Sequence, residues 1–298
     1  MDIIDKEITM EMRKNCRLSY GNIGRKVGIT RQAVAKRVQR LVRSGVITEF
    51  TLNLTPSLLG LHEFLGVLFL HDQRNRESLI STLGSNPFVH EILELIDDRC
   101  IILGIYRTVD DLSSLRRSTN EFEEVASAEF QPLMTQSSSN LHFSKTERTV
   151  LKHILHEPRL SVKDIAGKTG RTCSTIRKTL HKLVENRKVA FTISWNLSAG
   201  GNIIFMEEIQ WTDGLLTHND VSGMLLSACP TMYWQLYPFA LQTEGFALFV
   251  VDRIEQVSQV SAKAKTIPGI IAENRPFVCQ VWHSFSDLRL SELEKLIQ

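Results

Sequence analysis

The sequence predicts an α+β chain in which one plan is written twice: a short helical domain followed by a βαββαβ domain. Three observations predict it. Apolar residues recur at helical spacing through residues 2–43, and strand-like apolar runs then dominate 62–137. A shift of 142 residues lays Arg17-Leu18-Ser19 on Arg159-Leu160-Ser161, Ile23 on Ile165, Lys26 on Lys168, Gly28 on Gly170, Thr30 on Thr172 and Leu41-Val42 on Leu183-Val184, an internal duplication. Charge is segregated as well. The 298 residues carry a net +2, but residues 1–54 hold +6 and 143–197 hold +8, which leaves the remainder at −12. Two basic blocks in an otherwise acidic chain point to two surfaces that meet a polyanion.

Taken in order, residues 2–14 are the first helix, with Ile4, Ile8 and Met12 on a core face and Arg13 and Lys14 at the end the helix dipole favours. Ser19 to Val27 is the second helix and Thr30 to Arg43 the third, around a tight turn at Gly28-Ile29. Ser19 and Thr30 stand where a hydroxyl caps unpaired N–H groups. Val34, Val38, Leu41 and Val42 form an apolar stripe; Arg31, Gln32, Lys36, Gln39, Arg40 and Arg43 lie largely off it. Residues 13–43 hold ten Lys/Arg and no acid, where a merely solvated face would interleave both signs. This is the form of a helix-turn-helix whose last helix lies in the DNA major groove. Gly45 stops that helix, and Ile47 to Leu54 is expected as a short strand or hairpin, a wing.

The βαββαβ module follows with strands at 62–71, 89–96, 100–107 and 128–134 and helices at 76–83 and 110–125, a split ferredoxin-like unit. A polar linker, Thr135-Gln-Ser-Ser-Ser-Asn140, precedes the second copy, whose Ser161-Val-Lys-Asp164 has the form of a capping box. The second sheet domain has strands at 203–211 and 271–282, a hairpin of 231–241 and 246–252, and helices around 221–226 and 254–265. An amphipathic helix at 286–297 ends the chain. Trp195, Trp211, Trp234, Trp282, Tyr233, Tyr237, Phe239, Phe246 and Phe249 are expected as core or sheet-to-sheet packing rather than as a ligand pocket. Domains are therefore placed at 1–55, 61–137, 143–198 and 203–298.

The run from Val27 to Phe50, with its Gly-hydroxyl turn, its Lys36-Arg-Val-Gln-Arg-Leu41 core and its Gly45-Val-Ile47 exit, resembles the N-terminal domain of the Lrp/AsnC family of bacterial and archaeal transcriptional regulators. The resemblance implies two winged helix-turn-helix domains alternating with two RAM-type ferredoxin-like domains. It also implies double-stranded DNA as partner, pairing through the βαββαβ sheets and a homo-oligomer. A small-molecule effector is left open, because the family's Gly-x-Tyr-Asp-type signature is replaced by Asp97-Asp-Arg-Cys100 in the first copy and by a longer stretch around Thr243-Glu-Gly245 in the second. A chain with two copies can also pair its own two sheets, a pseudo-dimer within one polypeptide.

DNA affinity comes largely from phosphate neutralisation, and sequence choice from base edges. Arg31, Gln32 and Ala35 sit where reading side chains usually lie: Arg suits guanine, Gln suits adenine, and Ala meets the thymine methyl. Lys36 and Arg40 read or clamp; Arg13, Lys14, Arg25, Lys26 and Arg43 suit phosphate, and Ser19 and Thr30 cap beside them. The second copy offers Lys168, Arg171, Thr172, Ser174, Arg177, Lys178 and Lys182, with Cys173 and Ser174 in the readers' places. Arg37 becomes Thr179 and Arg43 becomes Glu185, so this copy is expected to read bases more weakly.

No apolar run reaches the roughly 18 residues that span a bilayer, and the charged N-terminus lacks a signal-peptide core, so a cytoplasmic protein without membrane partner is expected. The five cysteines are scattered and form no C-x-x-C pair, the nine histidines do not cluster at ligand spacing, and no phosphate loop, dinucleotide fingerprint, zinc-protease or nucleophile-elbow motif occurs. No metal, cofactor or enzymatic activity is expected. One enzyme alternative stands beside this: fused siroheme decarboxylases are similar in layout, and His62, His71, His90, Arg107 and Tyr237-Pro-Phe239 are the residues here that such a tetrapyrrole site would have to use.

Overall fold

The computed structural model describes residues 1–72, 74–134, 142–186, 188–272, 275–285 and 288–297. The first copy runs α1 (Ile3–Lys14), α2 (Tyr20–Val27), α3 (Arg31–Arg43), β1 (Ile47–Leu54), β2 (His62–Leu70), α4 (Arg76–Gly84), β3 (Val89–Leu95), β4 (Arg99–Tyr106), α5 (Val109–Thr119) and β5 (Val125–Pro132). The second begins with α6 (Lys145–Ile154), α7 (Val162–Thr169), α8 (Cys173–Glu185) and β6 (Val189–Trp195). It continues with β7 (Ile203–Trp211), α9 (His218–Ala228), β8 (Tyr233–Pro238), β9 (Glu244–Val251), α10 (Glu255–Lys265), β10 (Ile270–Ala272), β11 (Phe277–Ser284) and α11 (Leu288–Ile297). The expected linker 135–140 lies outside the described residues.

These elements gather into two units rather than four. The helical unit takes Met1–Gly60 with the described residues of 136–196 and 287–298; the sheet unit takes the described residues of 61–135 and 197–286.

In the helical unit the expected caps are in place. The Asn22 N–H donates to Ser19 Oγ (3.1 Å) and the Ala33 N–H to Thr30 Oγ1 (3.2 Å), while Gly28 (φ 73°) turns the chain between α2 and α3. Ile8, Met12, Ile23, Val34, Val38 and Leu41 are buried, and their counterparts Val150, Ile154, Ile165, Ile176, Leu180 and Leu183 are buried in the same core. The wing is not a hairpin. Each copy supplies one strand, and β1 pairs antiparallel with β6 through Thr51↔Thr192, Leu52↔Phe191 and Leu54↔Val189. A lone strand leaves a row of backbone groups unpaired; here the twin strand satisfies it.

Side chains reinforce that pairing from both sides. Arg17 donates to the carbonyls of Leu160 (2.8 Å) and Pro158, and its counterpart Arg159 donates to the Tyr20 hydroxyl (2.7 Å) while lying over the Tyr20 and Phe50 rings. The Cys16 N–H donates to the Phe191 carbonyl (2.9 Å) and the Thr192 hydroxyl to the Arg13 carbonyl (2.8 Å). Helix α11 also belongs here, where it was expected as an appendage of the second sheet domain. Its apolar side, Leu290, Leu293 and Ile297, joins this core and packs on α6 and β1.

In the sheet unit each copy forms an antiparallel four-strand order, β5-β2-β4-β3 and β11-β7-β9-β8, with β10 added beside β7. The copies join along β3 and β11, where Leu93 faces Trp282 and Ile92 faces His283. The outer strands meet too: Leu133 bridges Phe239, the Met134 N–H donates to the Pro238 carbonyl (2.8 Å) and the Ala240 N–H to the Pro132 carbonyl (2.8 Å). Both faces are dry. Phe64, Leu68, Ile92 and Ile102 pack under Leu79, Leu83, Leu112 and Leu115 of the helices, and the alternate residues Leu65, Leu93, Ile101 and Leu103 are buried on the opposite face. Most of the expected aromatic residues are core: Trp211, Tyr233 and Phe249 lie with Phe205 on the helix side of the second copy, and Trp234, Phe239, Phe246, Phe277 and Trp282 are buried as well, while Tyr237 is half-buried and Trp195 packs half-buried on the helical core.

Two expected boundaries move. Helix α5 ends at Thr119 instead of running to 125, because Asn120 closes it: its side-chain amide donates to the Arg116 carbonyl (2.8 Å) and its oxygen accepts the Ala128 N–H (2.9 Å), tying the helix end to β5. The expected strand 271–282 is divided into β10, on Ile209–Trp211, and β11, on Ile204–Met206.

Candidate nucleic-acid interface

The interface is built on α3. Of its expected stripe, Val34, Val38 and Leu41 are buried and Val42 is exposed; Arg31, Gln32, Lys36, Gln39, Arg40 and Arg43 are turned to solvent and Ala35 is half-buried. The structure therefore brings the expected readers together on the first two turns and extends them with cations along one face. Ser19, Arg25, Lys26 and Thr30 are exposed around that end. The Ser19 and Thr30 oxygens accept helix N–H groups, and each hydroxyl retains its own hydrogen to donate to a phosphate oxygen.

Not every cation on this face is held alike. The first turn of α1 closes a capping box, the Asp5 N–H donating to Asp2 Oδ1 (2.8 Å) and the Asp2 N–H to Asp5 Oδ2 (3.2 Å). The same two carboxylates take Arg37, at 2.6 Å from Asp2 and 2.8 Å from Asp5, and Arg40, at 2.5 Å from Asp5. Asp5 is buried, so Arg40 projects from a fixed anchor although its side chain is 59% exposed. Burial pushes the Asp2 carboxyl up, but the Arg37 bond, the Asp5 N–H and the Arg40 charge outweigh it and hold it below the usual carboxylate range. Glu11 is held low in the same way, burial being outweighed by Lys26 and Lys14. Lys26 and Lys14 thus act beside a carboxylate, and Arg13 stacks on the Trp195 ring, 4.8 Å from its centroid. Sequence reasoning missed Asp5 and Arg37 as parts of the site. The signal was the acid at the third position of α1, which doubles as cap and as counter-ion.

The second copy places Lys168, Arg171, Thr172, Ser174, Arg177, Lys178 and Lys182 on exposed positions and Cys173 half-buried. Thr172 caps α8, accepting the Thr175 N–H (3.2 Å), and Lys168 stands 4.0 Å from Glu157. Thr179, in the place of Arg37, is buried and donates to the Thr175 carbonyl (2.9 Å). Glu147, the counterpart of Asp5, is bound instead to Lys188 at 3.1 Å, so α8 has no anchored arginine. Arg187 lies outside the described residues.

Of the tetrapyrrole set, His71 is set apart from the others. His62 and Tyr106 face each other across β2 and β4, with Val89 and Gly104 at the same end, so His62, His90 and Arg107 share that end of the sheet. His71 follows the other end of β2, about 30 Å away at strand rise. Phe239 is buried at the bridge to Leu133, whose N–H donates to the Glu63 carbonyl (2.8 Å), so it lies at the His62 end as well. Among the described residues no helix is long and apolar enough to cross a membrane, and no group of three His, Cys, Asp or Glu stands where it would hold a metal ion.

Residues 1–42 match the family model for the AsnC-type helix-turn-helix domain. The HTH-type transcriptional regulator LrpA of Bacillus subtilis is 38% identical over 105 residues, covering 35% of this chain and 76% of that protein. The chain belongs to the Lrp/AsnC family of helix-turn-helix regulators. Another relative, the HTH-type transcriptional regulator PH0045 of Pyrococcus horikoshii, is 28% identical over 166 residues, covering 54% of this chain and 90% of its own. Beyond one family unit, the crystal structure of the siroheme decarboxylase NirDL matches 99% of this chain and 97% of its own at a TM-score of 0.54 and 13% identity. That likeness shows the fold: two winged-helix and two ferredoxin-like copies in tandem. A helix-turn-helix of this family implies DNA as the partner of the basic surface.

Proposed function

We propose that this chain is a sequence-specific transcriptional regulator, not an enzyme, that reads duplex DNA with α3 and, more weakly, with α8. In this reading Arg31, Gln32 and Ala35 meet base edges, Lys36 and the Asp5-anchored Arg40 read or clamp beside them, and Arg25, Lys26 and Arg43 neutralise phosphates. In the second copy Ser174, Arg177 and Lys178 take the base edges, and Lys168, Arg171 and Lys182 the backbone. The four spans 1–55, 61–137, 143–198 and 203–298 act as two reading and two pairing modules, except that α11 of the last span packs with the reading modules. The protein works in the cytoplasm, where the chromosome is, and a homo-oligomer brings further reading helices to bear. The observation that carries this is the acid-free cationic side of α3, exposed opposite the buried Val34, Val38 and Leu41.

The test is binding of the chain to its own promoter region across a salt series. With about six phosphates neutralised, the log–log slope is expected near −5. Arg31→Ala with Arg40→Ala is expected to weaken binding by about 100-fold, on the order of two lost base or clamp contacts. The second reading, a tetrapyrrole enzyme, is supported by the full-length fold match. Tight uptake of an iron porphyrin by a chain that leaves DNA unbound would establish it in place of the regulator.

A further inference from the structure

Two features of the helical unit, taken together, limit the DNA this chain fits. The first is that its two reading helices belong to one body. Strands β1 and β6 are counterparts in the duplication and pair antiparallel, with Thr51 opposite Thr192 near the middle. Antiparallel pairing of equivalent strands relates the copies by a local two-fold. The reciprocal arginines hold that relation: Arg17 on the Leu160 and Pro158 carbonyls, and Arg159 on the Tyr20 hydroxyl. One chain therefore offers two helices related by a local two-fold, the symmetry with which regulators of this motif meet two half-sites about one helical turn of roughly 34 Å or a multiple apart.

The second feature is that the two helices are chemically unlike where they read. Arg31, Gln32 and Ala35 have Cys173, Ser174 and Arg177 as counterparts, and only Lys36 and Lys178 agree. An arginine fork at the first position favours guanine and the following glutamine favours adenine; a thiol and a serine hydroxyl make shorter, less selective contacts, and the arginine moves one turn along the helix. The anchoring differs in the same sense, since Asp5 fixes Arg40 while Glu147 is occupied by Lys188 and leaves Lys182 with no counterpart anchor. A homodimeric regulator presents two identical helices and so selects a palindrome. This chain does not.

We propose that the ligand of one chain is a single bipartite duplex site without dyad symmetry: two unlike half-sites at fixed spacing, bound in one orientation only, with α3 on one half and α8 on the other. The proposal rests on the DNA-reading function proposed above and names the class of sequence it requires.

The experiment is selection of binding sites from a random duplex pool by the full chain. The expected motif has two different halves at one spacing, and Arg31→Ala with Gln32→Ala relaxes one of them only. Grafting the first copy's readers onto the second, Cys173→Arg, Ser174→Gln and Arg177→Ala, is expected to convert the motif into an inverted repeat of the half that α3 reads. The converse graft, Arg31→Cys, Gln32→Ser and Ala35→Arg, should produce an inverted repeat of the other half. Both sets lie at exposed or half-buried positions, so either graft serves if the other fails to fold. A wild-type motif that is already palindromic, or that has one half only, overturns the asymmetric site while leaving the regulator in place. A motif unchanged by a folded graft does the same. No enrichment of any sequence by the folded wild-type chain overturns the regulator reading itself, and the asymmetric site with it.

Discussion

The two helix-turn-helix copies were built on one template and differ in what holds the third helix, α3 in one and α8 in the other. In the first, a buried acid at the third position of α1 reaches across to Arg37 and Arg40 of α3. In the second, the equivalent acid caps α6 and binds Lys188, beyond the end of α8. The turn differs too. Gly24 packs so closely that a Cβ there would meet the Ile29 carbonyl oxygen at 2.4 Å, yet its counterpart is Ala166. The backbone bond that closes the turn is 2.9 Å from Ile29 to Gly24 and 3.2 Å from Arg171 to Ala166. The first copy is a tight turn with an anchored helix; the second is a looser turn whose helix cations are not anchored. The lesson is that a duplicated binding unit can keep its core and its caps while its ion pairs, which are cheap to rewire at a surface, diverge.

The largest expected effect tests the turn. Gly24→Ala puts a methyl against backbone, which cannot swing aside as a side chain can. It is expected to destabilise the chain by about 2–3 kcal/mol, the upper range of overpacking. Ala166→Gly removes a methyl the looser turn already accommodates and is expected to cost about 0.5–1 kcal/mol, through the propensity of glycine in a helix. Urea unfolding of the two variants measures both. Equal losses at the two sites would show that the turns are equivalent and that the comparison is wrong.

Much of this was legible beforehand, and for a stated reason: caps and core stripes are local. Ser19, Thr30, Ser161 and Thr172 announce helix starts because a hydroxyl there has a specific backbone partner three residues on. The 142-residue shift carries the helix stripes of that core with it, Ile8, Met12, Ile23, Val34, Val38 and Leu41 onto Val150, Ile154, Ile165, Ile176, Leu180 and Leu183. The family and the alternation of helical and βαββαβ domains follow from the same local patterns. What was not legible is long-range. Alternation in Ile47–Leu54 says strand but not that its partner lies in Val189–Trp195, more than a hundred residues away. The apolar stripe of α11 says that one side is buried, not that α6 and β1 bury it. In the site, composition located Arg40 and Lys26 but not their carboxylates, because Asp5 and Glu11 lie on α1 and meet those cations only once the three helices pack.

A second test separates anchoring from charge. Asp5→Asn keeps the shape of the capping box and removes the counter-charge of Arg37 and Arg40. Charge-assisted bonds to a buried carboxylate are worth about 1.5–3 kcal/mol, and the exposure of Arg40 discounts that to about 1–2 kcal/mol of stability. On DNA the same change releases one cation on the reading face, so the salt slope is expected to steepen by about 1. Glu147→Gln changes the net charge equally but acts on Lys188 rather than on α8, and its salt slope is expected to match the wild type. Identical slopes for the two variants would mean that Asp5 does not govern the reading helix.

The smallest effect is in acid. Burial pushes the Glu147 carboxyl up, but the Ser144 N–H at 2.7 Å and Lys188 at 3.1 Å outweigh it and hold it below its ordinary 4.5. A carboxyl depressed in the folded state contributes stability that is fully present above its unfolded value and is lost as pH falls through the folded one. Stability is therefore expected to fall as pH drops below about 4.5, and Glu147→Gln to remove part of that slope, by less than about 1 kcal/mol. Part of the slope that remains belongs to the first helix-turn-helix copy, where Arg37 and Lys26 outweigh burial and depress Asp2 and Glu11. Those two carboxylates face cations on or beside the reading surface. Protonating them frees Lys26 and leaves Arg37 on Asp5 alone as the fold weakens, whereas protonating Glu147 frees only Lys188. Acid unfolding of wild type, Glu147→Gln and Asp2→Asn, followed by circular dichroism, divides the two contributions: an acid limb unchanged in Glu147→Gln would mean that Lys188 does not hold that carboxylate.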